Sequence, residues 1–185
     1  MSTIVYTTYA APLGPMLIAA SPQGLVGVWF DGQKHFAGPG ALWRRDDGHR
    51  QLSDAVTQLT GYFAGTRTAF ALDCDARGTP FQQAIWRAIA AVPYGRQVTY
   101  AALAAAAGVP GAARAAGAAT GRNPLSIVVP CHRIVGSSGA LTGYAGGLAR
   151  KEALLALERG DARALPGASG ERWPDTTQAL GRMPA

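Results

Sequence analysis

The sequence contains little cysteine, no long apolar run and no export segment, and each of these shortages excludes a class of protein. Its 185 residues include two cysteines, Cys74 and Cys131, too few for a disulfide framework. No stretch of about 18 apolar residues occurs, so we expect no transmembrane helix. The first residues, MSTIVYTTYAAPLG, lack the basic and apolar regions of a signal peptide. We therefore expect a cytoplasmic protein without membrane contact.

Histidine is also scarce, and His35, His49 and His132 are far apart in the chain. Neither CxxC nor HxxxH spacing appears, so the sequence predicts no metal site. Hydrophobic residues make up 48% of the chain and charged residues 15%, which excludes a disordered chain. A chain of this length buries enough surface to fold without a disulfide or a bound metal.

Carboxylates are missing from one long block of the chain. The sequence carries 17 basic and 11 acidic residues, a net charge of +6, yet residues 76–151 contain no Asp or Glu. The same block holds eight basic residues: Arg77, Arg87, Arg96, Arg114, Arg122, Arg133, Arg150 and Lys151. A general preference for arginine over lysine does not remove carboxylates from one block only. Because a surface of one sign attracts polyanions, we predict binding to nucleic acid.

The first part of the chain reads as a small β-rich unit. The segments TIVYTTYA, PMLIAAS and GLVGVWF are rich in β-branched and aromatic residues and predict three strands. Ser53 is expected to cap a helix that runs to Phe63, since apolar residues follow at helical spacing. A further strand is expected from Ala69 to Cys74.

The second part reads as helices joined by short turns. Thr79 caps a helix that starts at Pro80 and runs to about Ala91. Thr99 caps the next helix, residues 100–107, and a third helix covers residues 112–120 after the breaker GVPG. Two helices separated by a glycine-containing turn are typical of a helix-turn-helix.

These elements predict an α+β protein. A small N-terminal α/β domain with a mostly antiparallel sheet covers residues 1–78. A mainly helical C-terminal domain covers residues 79–160 and contains the helix-turn-helix and a short strand, SIVVP, that leads to Cys131. Residues 161–185, rich in Gly, Pro and Ala, are expected to form a flexible tail.

The third helix, AARAAGAAT, has almost no bulky side chains, and two interpretations stay open. Alanine and glycine allow close approach, so the helix can be a tightly packed core element. Alternatively, a lean helix fits a narrow groove of DNA. Its one long side chain, Arg114, suits the minor groove, where shape and backbone contacts dominate, better than base reading in the major groove.

Cys131 and His132 are candidates for chemistry. The dipeptide follows a short apolar segment and precedes a glycine-rich loop, and a neighbouring base or positive charge can activate a cysteine. A lone cysteine is also commonly a buried inert residue. Neighbours on a strand point to opposite faces, so the pair can cooperate only if the chain turns or a water joins them.

Glu158 stands out at the end of the last predicted helix, Leu148 to Leu157. It falls on the apolar stripe and at the unfavourable end of the helix dipole. Both features suit a carboxylate that holds a histidine, and a frayed, exposed glutamate is the other interpretation.

Several blocks in order resemble the O6-alkylguanine-DNA alkyltransferases, also called methylated-DNA–protein-cysteine methyltransferases. The blocks are GTPFQQAIWRAIAAVPYGRQVTYAALA, GAARAAGAATGRNP and IVVPCHRIVGSSGALTGYAGGLARKEALLALE. PLGPMLIAA and GLVGVWFDGQKHF look like the N-terminal domain of bacterial members. The resemblance covers about Val5 to Gly160.

The resemblance implies roles for five residues in the reaction. Cys131 would accept the alkyl group, His132 would remove the thiol proton through a water, and Glu158 would orient His132. Asn123 would support the turn that places them. Tyr100 would assist rotation of the target nucleotide and supply a proton to the departing guanine.

The resemblance also implies two sets of binding residues. Arg114 would fill the gap left by the flipped guanine, and the other DNA-binding residues would be Ala112, Ala113, Gly117, Tyr100 and Arg122. The alkyl pocket would be formed by Pro130, Tyr144, Ala145, Gly146, Gly147 and Lys151.

Direct attack by a thiolate on the alkyl carbon needs no metal and no cofactor, and the thioether product has no ready leaving group. The family therefore implies one reaction per molecule on duplex DNA that carries O6-alkylguanine.

Activity on O4-alkylthymine and the preferred alkyl group stay open. We expect a monomer in solution that can cluster on DNA. The Cys and His cluster that binds zinc in some members is missing here, as is the cysteine-rich regulatory domain of others.

Two other functions are compatible with parts of the sequence. A DNA-binding module that senses lesions or regulates transcription would explain the charge and the helix-turn-helix, but not His132 and Glu158. A cysteine hydrolase would use Cys131 and His132 but would leave the basic lean helix unexplained.

Overall fold

A four-stranded sheet forms the first part of the chain. The computed structural model describes residues 3–161 and residue 165. The three predicted strands are β1 (Val5–Ala11), β2 (Gly14–Ser21) and β3 (Gly24–Phe30), and they pair as an antiparallel meander. A two-residue strand, β4 (Arg44–Arg45), joins β1 in parallel and completes the order β3-β2-β1-β4. It lies in the segment expected to be loop.

Helix α1 (Arg50–Phe63) covers one face of this sheet. Its buried side chains recur at helical spacing: Leu52, Ala55, Leu59, Tyr62 and Phe63. The predicted cap at Ser53 is wrong, because the helix begins four residues earlier than that cap requires. His49 occupies the cap position, and its carbonyl accepts the Ser53 N–H at 3.0 Å.

The strand predicted from Ala69 to Cys74 is also not formed. The segment makes one isolated bridge between Cys74 and Leu25, with hydrogen bonds from Leu25 N to Asp73 O and from Asp75 N to Leu25 O. The segment pairs in parallel with the start of β3 at this one residue only. A Cβ at Gly24 would lie 2.6 Å from the Asp73 backbone, so the close approach requires glycine at this position.

The helices of the second part follow the prediction closely. They are α2 (Pro80–Ala90), α3 (Tyr100–Ala106), α4 (Ala113–Gly121) and α5 (Leu148–Glu158). Thr79 and Gln82 form a reciprocal capping box at α2, and Thr99 accepts the Ala102 N–H at α3. Helices α3 and α4 form the helix-turn-helix.

The segment before Cys131 is a tight loop, and the predicted strand SIVVP is not a regular one. Val28 of β3 donates to Pro124 O, and Ser126 donates back to Val28 O. Ser126 and Val129 then pair across a turn in which Ile127 has a φ of 71°. The extended conformation is lost because the loop folds back on itself after it has docked on β3.

A short parallel pair of strands lies close to Cys131 in the chain. The strand that is formed follows Cys131: β6 (Ile134–Val135) pairs in parallel with β5 (Val98–Thr99). Residues 131–133 form one turn of 3₁₀ helix between the tight loop and β6. The predicted α+β class, with a mostly antiparallel N-terminal sheet and helices after it, is confirmed.

One apolar core runs through both parts of the chain and carries the site. It joins α1, the inner face of the sheet, α2, α3, α4 and α5, and it includes Cys131. A smaller cluster on the outer face of the sheet contains Leu17, Ala19, Val26 and Trp29. No helix among the described residues is long and apolar enough to cross a membrane. The residues of the predicted tail, apart from Asp161 and Leu165, lie outside the described part of the chain.

Candidate active site

Cys131 lies at the start of the 3₁₀ turn and is almost fully buried, with 5% of its surface exposed. The side-chain amide of Asn123 donates to its sulfur at 3.1 Å. Burial raises the pKa of the Cys131 thiol, while the Asn123 hydrogen bond and the positive charge of Lys151 act in the opposite direction. With its pKa raised, the thiol is protonated at neutral pH and needs a base before it can act as a nucleophile.

Asn123 also holds the loop that delivers the cysteine. Its Nδ2 donates to Val129 O at 2.8 Å, and its Oδ1 accepts the Leu125 N–H at 3.0 Å. Asn123 is buried, so its side chain supplies the hydrogen bonds that these backbone groups would otherwise make with water. Asn123 therefore contacts both the Cys131 sulfur and the backbone of the loop before it.

His132 and Glu158 form a buried pair. His132 Nε2 lies 2.7 Å from Glu158 Oε1, and both side chains are fully inaccessible to solvent. Because the 3₁₀ turn interrupts the extended chain, Cys131 and His132 are not forced onto opposite faces. Glu158 is therefore a buried carboxylate in contact with His132 and not an exposed residue at a frayed helix end.

The protonation states within this pair follow from its surroundings. Burial alone would raise the pKa of Glu158. The hydrogen bonds and positive charges of His132 and Arg133 outweigh this effect and lower the pKa to about 2. Burial lowers the pKa of His132 in spite of the Glu158 carboxylate. Nε2 is the ring nitrogen that faces the Glu158 carboxylate, so a neutral His132 carries its proton there and donates it to Oε1. Nδ1 is then left as the acceptor. That atom is buried and has no hydrogen-bond partner among the described residues.

Three further groups hold Glu158. Arg133 binds both carboxylate oxygens, with Nη2–Oε1 and Nε–Oε2 distances of 2.9 Å, and its Nη1 donates to Val92 O. The Gly95 N–H donates to Oε2 at 2.9 Å, and the hydroxyl of Tyr62 donates to Oε1 at 2.8 Å. The Arg133 charge is therefore directed at Glu158. Gly95 and Tyr62 carry no local sequence signal, because tertiary packing brings them to the carboxylate.

A cavity of about 160 Å³ opens at Cys131. Its walls come from the turn after β3, from α3 and α4, and from the loop before α5: Lys34, His35, Tyr100, Gly117, Thr120, Gly121, Cys131, Gly143, Tyr144 and Ala145. The Tyr100 hydroxyl donates to Thr142 O at 3.2 Å. Burial raises the pKa of Tyr100, so it is a phenol with a proton to give.

Of the six residues predicted to form the alkyl pocket, Tyr144 and Ala145 line the cavity. Gly146 lies behind them, and a Cβ there would come within 2.8 Å of the Tyr144 ring. Gly147 is the N-cap of α5 with a φ of 93°. Pro130 faces a larger, mostly apolar cavity of about 670 Å³ to which Cys131 does not contribute. We place the candidate site at the smaller cavity, because Cys131 lines it.

Lys151 binds the backbone of the segments next to the cavity. Its Nζ donates to the carbonyl oxygens of Ile134, Thr142 and Gly143, at 2.5, 2.8 and 3.2 Å. Burial lowers the pKa of Lys151 to about 8, although Cys131 has the opposite influence. The amine therefore fixes the loop that carries Tyr144 without entering the cavity.

Lys34 and His35 were missed by the sequence analysis. The Lys34 N–H donates to Ala145 O at 3.0 Å and joins the turn after β3 to the loop before α5. His35 has a φ of 66°, an unusual conformation for a residue with a side chain. No local pattern marks either residue, because the contact joins segments that are distant in the chain.

Helix α4 packs one face in the core and leaves the other face exposed. Ala116, Ala119 and Thr120 are buried in the core, and Trp86 donates to Ala119 O at 2.9 Å. Arg114 projects from the exposed face near the start of the helix. Ala112 is the N-cap, and Arg122 is exposed just after the helix ends. Gly117 faces Tyr100, since a Cβ there would lie 3.6 Å from the ring.

Known proteins match nearly the whole described chain. Residues 4–76 match the family model of the 6-O-methylguanine DNA methyltransferase, ribonuclease-like domain, and residues 80–160 match that of the DNA binding domain. A methylated-DNA–protein-cysteine methyltransferase of Mycobacterium tuberculosis is 45% identical over 161 residues, which cover 87% of this chain and 96% of the relative. A constitutive enzyme of the same name from Bacillus subtilis is 42% identical over 158 residues, covering 83% and 94%.

The fold agrees with these sequence matches. A crystal structure of Mycobacterium tuberculosis OGT in complex with DNA superposes with a TM-score of 0.79 at 44% identity, covering 88% of this chain and 96% of that one. A crystal structure of the O6-methylguanine methyltransferase of the same organism has a TM-score of 0.77, at 43% identity and with coverage of 89% and 96%. The chain therefore belongs to the O6-methylguanine DNA methyltransferase family.

Proposed function

We propose that this protein repairs DNA by transferring the alkyl group of O6-alkylguanine to the sulfur of Cys131, once per molecule. The observation that carries this proposal is a buried thiol that opens into a small cavity, next to a histidine whose other nitrogen is bound by an ionised carboxylate. Relatives with 45% identity are named methylated-DNA–protein-cysteine methyltransferases, which supports the same reaction here.

The reaction begins with a proton transfer. The thiol of Cys131 gives its proton, through one water, to Nδ1 of His132, and Glu158 stabilises the imidazolium that forms. The thiolate attacks the alkyl carbon, a carbon–sulfur bond forms, and the bond from that carbon to O6 breaks with its electron pair left on guanine. Tyr100 supplies a proton to guanine and regains one from the solvent. The thioether cannot expel its alkyl group, so the protein is used once.

The DNA must present its guanine outside the base stack. A duplex hides O6 within the base pair, and extruding a nucleotide costs a few kcal/mol, less for a weakly paired lesion. The exposed face of α4 enters the minor groove, where the small side chains of Ala112, Ala113 and Gly117 permit close approach. Arg114 occupies the vacated space in the stack, and Arg122 contacts a phosphate. The surface around this helix comes from a block without carboxylates.

The organisation of the chain follows from the same proposal. The N-terminal domain, residues 1–78, supports the acceptor loop and contributes Lys34 and His35 to the cavity. Residues 79–160 form the domain that binds DNA and accepts the alkyl group. The protein acts as a monomer in the cytoplasm and can cluster on DNA.

Mass spectrometry tests the reaction directly. The protein is mixed with duplex DNA containing O6-methylguanine, and both the intact mass and the cysteine peptides are measured. We expect one methyl group on the Cys131 peptide, none on Cys74, and no second turnover. Cys131→Ala should gain no mass, while Cys74→Ser should react like the parent protein. DNA binding without any mass gain would move the function to lesion recognition.

A further inference from the structure

A tyrosine from the N-terminal part of the chain reaches the buried His132–Glu158 pair. Tyr62 lies near the end of α1, and its side chain is fully buried. Its hydroxyl donates to Glu158 Oε1 at 2.8 Å and lies 3.4 Å from His132 Nε2. Tyr62 and His132 therefore both donate a hydrogen bond to the same carboxylate oxygen of Glu158.

We propose that Tyr62 is a positioning residue for alkyl transfer, which holds Glu158 Oε1 in place and limits how strongly that oxygen draws the proton of His132. The proposal rests on the function proposed above, because it assigns His132 the role of base for Cys131.

The hydrogen bonds at Glu158 give the physical reason. Oε1 accepts from Tyr62 Oη, His132 Nε2 and Arg133 Nη2, while Oε2 accepts from Arg133 Nε and Gly95 N. Each donor disperses part of the negative charge. If the Tyr62 hydroxyl is removed, more charge on Oε1 faces His132, and the doubly protonated imidazolium becomes more stable. His132 then becomes protonated at a higher pH, and Oε1 loses one of the three donors that hold it in place for the proton transfer.

The hydroxyl can be separated from the packing of the ring. The Tyr62 ring lies edge-on to Phe63 and Tyr94, with centroids 5.6 and 6.1 Å away, and is tilted against Phe70. The substitution Tyr62→Phe would keep these ring contacts and remove only the hydrogen-bond donor. Burial and the charge of Glu158 raise the pKa of Tyr62 well above its usual value, so it remains a neutral donor throughout the working range.

Other charged and titratable groups around the pair stay the same in such a variant. They are Arg133 on the 3₁₀ turn, Lys151 on α5, Cys131, Tyr94 and Tyr144. Lys151 has a pKa of about 8, above the range in which a buried histidine with a lowered pKa titrates. The fall of the transfer rate toward low pH therefore reports the protonation of His132.

The test compares Tyr62→Phe with the matched control Tyr9→Phe. Tyr9 also lies in the N-terminal part and also has a hydrogen-bonded hydroxyl, with Thr60 of α1 as its partner, but it does not contact Glu158. The single-turnover rate of methyl transfer is measured from pH 5 to 8, with DNA in excess. We expect Tyr62→Phe to react about three- to tenfold more slowly at neutral pH, the equivalent of one net hydrogen bond. Its low-pH midpoint should move upward, and Tyr9→Phe should match the parent protein.

A second measurement needs no substrate. The His132 ring is titrated by NMR in the parent protein, in Tyr62→Phe and in a protein with a fluorinated tyrosine at position 62. The fluorinated phenol is a stronger donor, so the His132 midpoint should move downward, opposite to Tyr62→Phe. Unchanged midpoints in both folded variants would overturn the proposal, as would equal rate losses in Tyr62→Phe and Tyr9→Phe. If the parent protein forms no thioether, the proposed function fails, while the NMR titration still tests the link from Tyr62 to His132.

Discussion

The amide of Asn123 binds the sulfur of Cys131 and the carbonyl of Val129 at the same time, at 3.1 and 2.8 Å. One side chain thus binds both the sulfur and the loop that carries it. The family resemblance implied only the second of these contacts, and the first gives Asn123 a direct influence on the thiol.

Replacement of Asn123 by alanine should affect both stability and thiol chemistry. We expect the free energy of unfolding to fall by roughly 1–3 kcal/mol, since buried backbone groups of the loop lose their partner. The pKa of Cys131 should rise further, because the Asn123 hydrogen bond lowers it. Urea unfolding measures the first effect and thiolate absorbance against pH the second.

Gln33→Ala is the matched control for Asn123→Ala. Gln33 is a second buried amide that supports the same loop, where its Oε1 accepts from Ser126 Oγ at 2.8 Å. Its loss should destabilise the protein and leave the pKa of Cys131 unchanged. Equal pKa changes in both variants would show that the loop, and not the Asn123–Cys131 contact, controls the thiol.

Acid should destabilise the protein through Glu158. Its pKa in the folded state is about 2, below the ordinary value of 4.5, so folding favours the ionised form. The stabilisation is fully present above pH 4.5 and is lost as the pH falls toward 2. Urea unfolding at several pH values should show this decline, and Glu158→Gln should flatten it. A decline that is just as steep in Glu158→Gln would assign the effect to other carboxylates.

Arg114→Ala should separate duplex repair from the chemical step. If Arg114 fills the space of an extruded guanine, its loss slows repair in duplex DNA by far more than reaction with a free alkylated guanine base. The comparison variant is Arg122→Ala, which removes the same charge at the end of the same helix. We expect it to weaken binding without changing the chemical step on bound DNA. Equal losses of Arg114→Ala on both substrates would contradict a role in extrusion.

Binding to undamaged duplex should depend strongly on salt and little on sequence. Because phosphate contacts release counterions, the logarithm of the binding constant should fall linearly with the logarithm of salt concentration. Arg122→Ala should make this slope shallower by about one. Arg44→Ala, on the short strand β4, should leave the slope unchanged. A flat response in the parent protein would rule out an electrostatic contact as the main source of affinity.

Gly27→Ala should destabilise the sheet. A Cβ at Gly27 would lie 1.7 Å from the Trp29 ring, so the indole must move off Phe36, on which it stacks with centroids 4.1 Å apart. We expect a loss of about 1–3 kcal/mol, as for other overpacked sites. Gly48→Ala is the control, since the nearest atom there is 3.9 Å away. Thermal unfolding of the two variants measures the difference, and equal stability would contradict the overlap.

Local chemistry made much of the fold predictable. Thr79 and Thr99 cap their helices through contacts within three residues, so the sequence alone identifies both helix starts. Ser53 is also a residue type that favours helix caps. Helix α1 nevertheless begins earlier, because Leu52 is buried and extends the apolar face of the helix. The loop at Ile127 could not be predicted, because its shape depends on hydrogen bonds to β3 and to Asn123.

The candidate site was predictable to a similar depth. Glu158 stood out because a carboxylate on an apolar stripe needs a partner, and His132 is that partner. Tyr62 and Lys34 carry no such mark, since an apolar helix face and a polar turn accept these residues without any function. Their contacts join distant segments, and tertiary packing alone brings them to the site.

The hydrogen bonds that join Val28 of β3 to Pro124 and Ser126, in the loop before Cys131, bear on attempts to divide the molecule. Val28 N–H binds Pro124 O, and the Ser126 N–H binds Val28 O, so the loop pairs with β3 on its side away from β2. A fragment starting at residue 79 would leave these loop groups unpaired. A fragment ending at residue 78 would expose β3 as an open sheet edge, a known route to self-association. Two such fragments should refold into one functional particle when they are mixed, and each alone should aggregate.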